Sequence, residues 1–249
     1  MAGSCSRFQI IKVTNPSEVP ALAELCVLAL QPDPFFAFME RYSGSLYEGT
    51  VRKLSAAVED PCSKVFKAIK PERNAEGVIE AKLVGLSQWY VGYCVVPKVD
   101  PFVPEAEQKK DDRLPKGSMF ATRDMGGVPL PPPASVDDEK GRAAVEELMR
   151  KSGNAYISAI RGKRHVYLRR MIVHPEYQKQ GIGTMLVKWG MDVADEGKIV
   201  GWLYSRPAGQ KLYEREGFKV VDEVEVNGEG LECEVPVMTC MLRLPKVRN

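Results

Sequence analysis

Histidine is almost absent from this chain of 249 residues: only His165 and His174 occur. The six cysteines, Cys5, Cys26, Cys62, Cys94, Cys233 and Cys240, are scattered without the paired spacing of metal ligands. These two shortages argue against a zinc site, and no metal is expected. Long apolar runs are missing too. Crossing a bilayer takes ~20 apolar residues, and the best stretch, Pro20 to Leu30, carries Glu24. The opening Met1-Ala-Gly-Ser has no apolar segment behind it, so no signal peptide is expected. A cytoplasmic location with reduced cysteines is the resulting expectation. Excess charge of one sign is absent as well: Lys and Arg total 35, Asp and Glu 33, a net charge of +2. Such a chain has no whole-molecule pull toward nucleic acid or membrane. The basic segments Arg161-Gly-Lys-Arg164 and Arg169-Arg170 adjoin strand-like sequence, which argues against a DNA-binding reading. Two phosphate-binding signatures are also lacking. No Gly-Lys-Ser/Thr ends a Walker loop, and no three spaced glycines make a dinucleotide fingerprint.

What is present is globular material, 44% hydrophobic and 27% charged. A chain of this length buries a sizeable core, and one domain over 1–249 with a large insertion is expected. Its most informative stretch is Met171-Ile-Val-His-Pro-Glu-Tyr-Gln-Lys-Gln-Gly-Ile-Gly183. A strand ends at Val173, the chain turns at His174-Pro175, and Met185, Leu186, Trp189 and Val193 then recur at helical spacing. The first amides of a helix lack partners inside it and sit at the positive end of its dipole. Glycines there let the backbone approach a ligand closely. The combination is an anion site, most often for phosphate.

Gln178-x-x-Gly181-x-Gly183 after a strand ending Val-His-Pro, followed by Leu212-Tyr213-Glu-Arg-Glu-Gly217-Phe218, resembles the GNAT superfamily of acetyl-CoA-dependent N-acetyltransferases. The resemblance covers 165–224 well, 1–91 loosely and 92–160 not at all. It implies an α/β (α+β) fold: a mixed, mostly antiparallel central sheet flanked by helices, with a proline-rich insertion at about 97–150 between the third and fourth strands. It implies acetyl-CoA as cofactor, held by Met171, Ile172 and Val173 on the strand and by Gln178, Lys179, Gln180, Gly181, Ile182, Gly183 and Thr184 in the turn. Tyr213 matches the family's general acid for the departing thiolate. Many members carry an asparagine after the next strand; Ser205 stands there here and retains a hydroxyl for the cofactor arm.

Along the chain, strands are expected at Arg7–Val13, Lys64–Ile69, Ala81–Val91, His165–Val173 and Ile199–Tyr204, then a hairpin from Phe218–Val226 and Val235–Leu244. Helices fit from Ser17 to Leu30, Leu46 to Glu59 and Val136 to Lys151. The prolines and charges of 97–135 suit a lid or a solvated linker. In the fourth strand, Val166 and Leu168 are out of phase with Met171 and Val173. One extra residue at Arg169-Arg170 would bring all four to one face, so a β-bulge is expected there. Phe35, Phe36 and Phe38 read either as core or as an apolar wall, because in the family this segment borders the acceptor pocket. Trp89 and Tyr90 alternate faces, so one belongs to the core and the other to the acceptor side. For the base that takes the amine proton, Asp33, Glu40, Glu80 and Glu176 are all open.

The resemblance implies acetyl transfer to a primary amine of a small molecule by direct attack, with Phe35, Phe36, Trp89 and Tyr90 around the acceptor. A protein lysine or N-terminal acetyltransferase and a non-catalytic acetyl-CoA sensor are the alternatives. No nucleic-acid or membrane partner is expected, and the chain should be a monomer or homodimer.

Overall fold

A computed structural model describes residues 7–73, 76–93, 132–160 and 162–246. Seven strands form one sheet in the order β1-β2-β3-β4-β5-β7-β6. They are β1 (Gln9–Lys12), β2 (Ser63–Arg73), β3 (Ile79–Tyr93), β4 (Arg164–Val173), β5 (Val200–Ser205), β6 (Lys219–Val224) and β7 (Met238–Arg243). Only β4 and β5 run parallel, and a parallel pair needs a crossover. Helix α5 (Ile182–Glu196) supplies it. The other helices are α1 (Val19–Leu30), α2 (Pro34–Ser43), α3 (Leu46–Glu59), α4 (Val136–Ile160) and α6 (Pro207–Arg215). The mixed, mostly antiparallel sheet flanked by helices is the expected architecture; most of the proline-rich stretch lies outside the described residues.

Three elements differ from the sequence reading. The cluster after Pro34 is a helix, α2, because Pro34 fills a first position where its missing N–H costs nothing. Asp33 caps it, accepting from the Phe35 amide at 2.9 Å. Helix α4 runs past Lys151 to Ile160, since the Ser152 hydroxyl donates to the Leu148 carbonyl at 2.6 Å and stays inside the helix. Strand β2 continues through Pro71, where β1 has already ended and no N–H is needed on that side.

The two sheet faces carry different helices. On one, α5 and α6 cover Trp89, Val166, Leu168, Leu203 and Met241. On the other, α1 and α3 cover Val65, Leu86 and Ile172, while α2 and α4 cover Trp202, Val224 and Cys240. Helices α2 and α4 meet closely: a Cβ at Gly141 would stand 2.2 Å from the Tyr42 ring. Tyr42 and Arg41 hold Asp137 at 2.9 and 3.2 Å. No single helix among the described residues is long and apolar enough to cross a membrane.

Candidate active site

The site begins with the register of β4. Gln88 pairs with Arg170 but Trp89 pairs with Leu168, so Arg169 is an extra residue opposite β3. This is the bulge expected from the hydrophobic phase. It places Val166, Leu168, Met171 and Val173 all on the α5 face, and its unpaired backbone is released from the ladder. The parallel pairing of β4 with β5 ends at the same level, with Leu168 opposite Leu203. Beyond it β4 keeps only β3. Alternate amides and carbonyls of Arg170–Val173 therefore point into a fork between β4 and β5.

Helix α5 starts at the end of this fork. Gly181 is its cap residue with φ 87°, and Lys179 two residues earlier also has positive φ, 59°. A left-handed lysine is uncommon, and alternating hands turn successive amides inward to form a nest for an anion. The first intrahelical bond is Met185 N to Gly181 O at 3.1 Å, so the amides of Ile182, Gly183 and Thr184 precede it. Gln178 clips the loop to the strand end, its Nε2 3.4 Å from the Val173 carbonyl. Gln180 donates to the Glu176 carbonyl at 3.2 Å, and its Oε1 is buried with no partner among the described residues.

Gly183 joins the three parts. A Cβ there would meet Leu212 Cδ2 of α6 at 2.9 Å and Met171 Cε of β4 at 3.8 Å. The helix terminus, the strand after the bulge and the residue before Tyr213 thus converge at one point. At Gly181 a Cβ would meet nothing within 4 Å, so glycine there answers to its φ alone. Tyr213 is 6% exposed and packs edge-on against Phe218, centroids 6.0 Å apart. Burial pushes its phenol pKa well above the usual 10, and no hydrogen bond to its hydroxyl is seen among the described residues. It holds its proton at any neutral pH. The open nest, the unpaired strand edge and the close backbone approach at Gly183 fit a diphosphate with an extended amide-bearing arm, as acetyl-CoA has.

The opposite face of β3 and β4 carries Gln88, Tyr90, Tyr167, Arg169 and Arg170, a strip referred to as the trough. Cross-strand pairing sets Tyr90 beside Tyr167 and Gln88 beside Arg170. The Arg169 guanidinium lies over both rings, 5.4 Å from Tyr90 and 5.5 Å from Tyr167. Burial raises the thiol pKa of the sealed Cys26 of α1, against a smaller downward pull from Arg170, which reaches toward it. Burial pushes the Tyr167 phenol up to about 12. Phe35 and Phe36, half-buried and edge-on at 5.1 Å, stand at the start of α2. Arg206, just past β5, stacks 4.3 Å over Phe35 and pairs with Asp33 at 3.4 Å.

One proposed acceptor contact, Trp89, and one proposed cofactor contact, Ser205, are corrected by this geometry. Trp89 has no exposed surface and faces α5, where a Cβ on Gly190 would collide with it at 2.3 Å. It is a core residue on the far side of the sheet from the trough, while Tyr90 is on the trough side. Ser205 is likewise sealed, its hydroxyl donating to the Arg206 carbonyl at 3.0 Å. The candidate bases do not meet in the trough either. Asp33 serves α2 and Arg206, and Glu40 accepts from the Leu46 amide at 3.4 Å. Glu176 is exposed and 3.8 Å from Lys82, and Glu80 lies near the β2–β3 turn opposite Glu72. Phe38 is core, with no exposure.

Residues the sequence reading did not single out complete the trough wall. Tyr156 of α4 lies 5.4 Å from Tyr167, and Tyr204 of β5 lies 6.0 Å from it, centroid to centroid. The legible signal was the alternation His165, Tyr167 against Val166, Leu168, which sends the first pair to the trough face. A groove of ≈ 780 Å³ between α4 and β6 shares no lining residue with the fork or the trough.

Residues 139–220 match the family model described as "Acetyltransferase (GNAT) domain". Over 61 residues the chain is 30% identical to an "Acetyltransferase" of Stachybotrys chartarum, a match spanning 24% of this chain and 26% of that relative. Among solved structures, mosquito arylalkylamine N-acetyltransferase like 5b superposes with a TM-score of 0.55 at 16% identity, covering 95% of this chain and all (100%) of that one. The PaiA N-acetyltransferase of Thermoplasma acidophilum, in complex with coenzyme A, superposes with a TM-score of 0.45 at 13% identity, covering 95% and 98%. At 16% identity the likeness to the mosquito protein is one of fold.

Proposed function

From a chain whose residues 139–220 match the model of a GNAT acetyltransferase domain, we propose an enzyme that transfers acetyl from acetyl-CoA to the primary amine of a small, aromatic acceptor by direct attack. The observation that carries it is the coincidence of the bulge, the fork and the α5 terminus at one end of the sheet, with an aromatic trough on the other face. Acetyl-CoA, when bound, supplies the acetyl group as an activated thioester. The nest of Gln178–Thr184 holds its diphosphate. The open edge of β4 over Met171–Val173 aligns its arm, and backbone released at the Arg169 bulge stabilises charge on the acetyl oxygen. Tyr213 carries the proton for the departing sulfur.

The trough sets the acceptor class. Tyr90, Tyr167 and Phe35 offer ring faces and edges, which favour a planar group. Arg169 and Arg170 make the surroundings positive, which repels a polycation. The same charge helps the one amine that enters, because a neighbouring cation lowers the pKa of an ammonium group. The test is thiol release from acetyl-CoA with arylalkylamines, aromatic amino acids, spermidine and lysine peptides at equal concentration. Release is expected with the aromatic primary amines and at least tenfold less with spermidine. A preference for spermidine or for peptides overturns the acceptor class.

A further inference from the structure

A buried histidine lies within reach of the trough through a single tyrosine. His165 has no exposed surface and sits on the trough face of β4, between Gly92 and Val200 of the flanking strands. Its Nδ1 is 3.2 Å from the Lys163 carbonyl, which can only accept. The Nδ1 atom therefore carries the hydrogen, and Nε2 is a bare acceptor. Tyr156 Oη stands 2.6 Å from Nε2, so the phenol donates into the imidazole. Tyr156 leans edge-on against His165, centroids 5.4 Å apart, and its other neighbours are Tyr167 and Trp202. Tyr167 in turn lies under Arg169, the bulge residue.

We propose that Tyr156 and His165 take up the proton that the attacking nitrogen must lose, Tyr156 receiving it at Oη while passing its own to His165 Nε2. This rests on the acetyl-transfer reading above. The balance is complete: an ammonium and a neutral imidazole become a neutral amine and an imidazolium, and the phenol is unchanged. The transfer reaches Tyr156 directly or through one water, while His165, sealed behind it, acts only through that hydroxyl. The surroundings keep the imidazole ready. Burial depresses its pKa below the ordinary 6.5, against a smaller upward pull from the Lys163 carbonyl, and the Arg169 charge adds a lesser downward push. Among the described residues facing it, Tyr90 and Tyr156 are the titratable groups and Arg169 the charged one. It is therefore neutral, and able to accept, at and above neutral pH.

The test is the pH profile of kcat/KM for wild type, Tyr156→Phe and His165→Gln, from pH 6 to 10, with a primary amine that wild type acetylates. Tyr156→Phe keeps the ring and its packing. General-base losses are typically about 10²-fold or more. Both variants should fall by about that factor at pH 7 and recover as the pH nears the amine's own pKa, where the free base forms without help. Acetyl-CoA affinity should be unchanged. A deficit that is the same at every pH, or no deficit, overturns the relay and leaves a pair that merely ties α4 to β4. A wild type that releases no thiol with any amine removes the acetyl-transfer reading itself, and the relay with it.

Discussion

Tyr213 is the residue on which family resemblance and geometry bear most closely. Its ring is packed and its hydroxyl has no hydrogen-bond partner among the described residues, so the packing is the ring's. Removing the oxygen alone should therefore separate stability from chemistry. Tyr213→Phe should melt within a degree or two of wild type, since no hydrogen bond is lost. Its turnover should drop about 10²–10⁴-fold, the usual range for a lost general acid, with acetyl-CoA affinity kept. Wild-type turnover under single-turnover conditions would make Tyr213 a packing residue. Other residues show why single positions are hard to read in advance. Trp89 and Tyr90 are adjacent and similar, and alternation requires them to part but not which goes where. Trp89 went to the core because Gly190 of α5 leaves room for an indole and nothing else. His165 escaped notice because a lone histidine in a strand carries no pattern, and Tyr156, nine positions earlier in the chain, is brought over it only by the length of α4.

At the scale of elements, the β4 bulge was legible because period-2 burial tolerates no phase error. Four apolar residues had to share a face, and one extra residue at Arg169 was enough. The α5 terminus was legible from its glycines. Helix α2 and the second half of α4 were not, because Pro34 reads as a stop and Ser152-Gly153 as a break, while packing and capping overrode both. The junction of α5, β4 and α6 at Gly183 can be tested as a unit. In Gly183→Val the new Cβ stands 2.9 Å from Leu212 Cδ2, the free end of a side chain that can swing away. Helix propensity also favours valine over glycine. The fold should survive, and calorimetry should show acetyl-CoA affinity reduced by at least tenfold, ~1.4 kcal/mol. Unchanged affinity would remove this loop from the cofactor site.

At the scale of the whole molecule, the sheet divides the labour. On the proposed reading, one face and the fork serve the acetyl thioester, and the other face, with its rings and arginines, takes the amine. A chain with a net charge of +2 gives no hint of this, because the arginines that matter are three among 35 basic residues. The glycines and the strand before them made the α5 terminus legible, but the proposed acceptor side draws on five separated segments, α2, β3, α4, β4 and β5, whose meeting no local pattern encodes. The claim that the two sides act on each other directly is open to one decisive measurement. Equimolar protein and acetyl-CoA are mixed with an aromatic primary amine, quenched over a single turnover, and read by mass spectrometry. Direct transfer predicts coenzyme A and N-acetylated amine appearing together, one for one, with no acetyl group on the protein. Acetyl-CoA that binds but persists, or an acetyl group found on the chain before product forms, would contradict it.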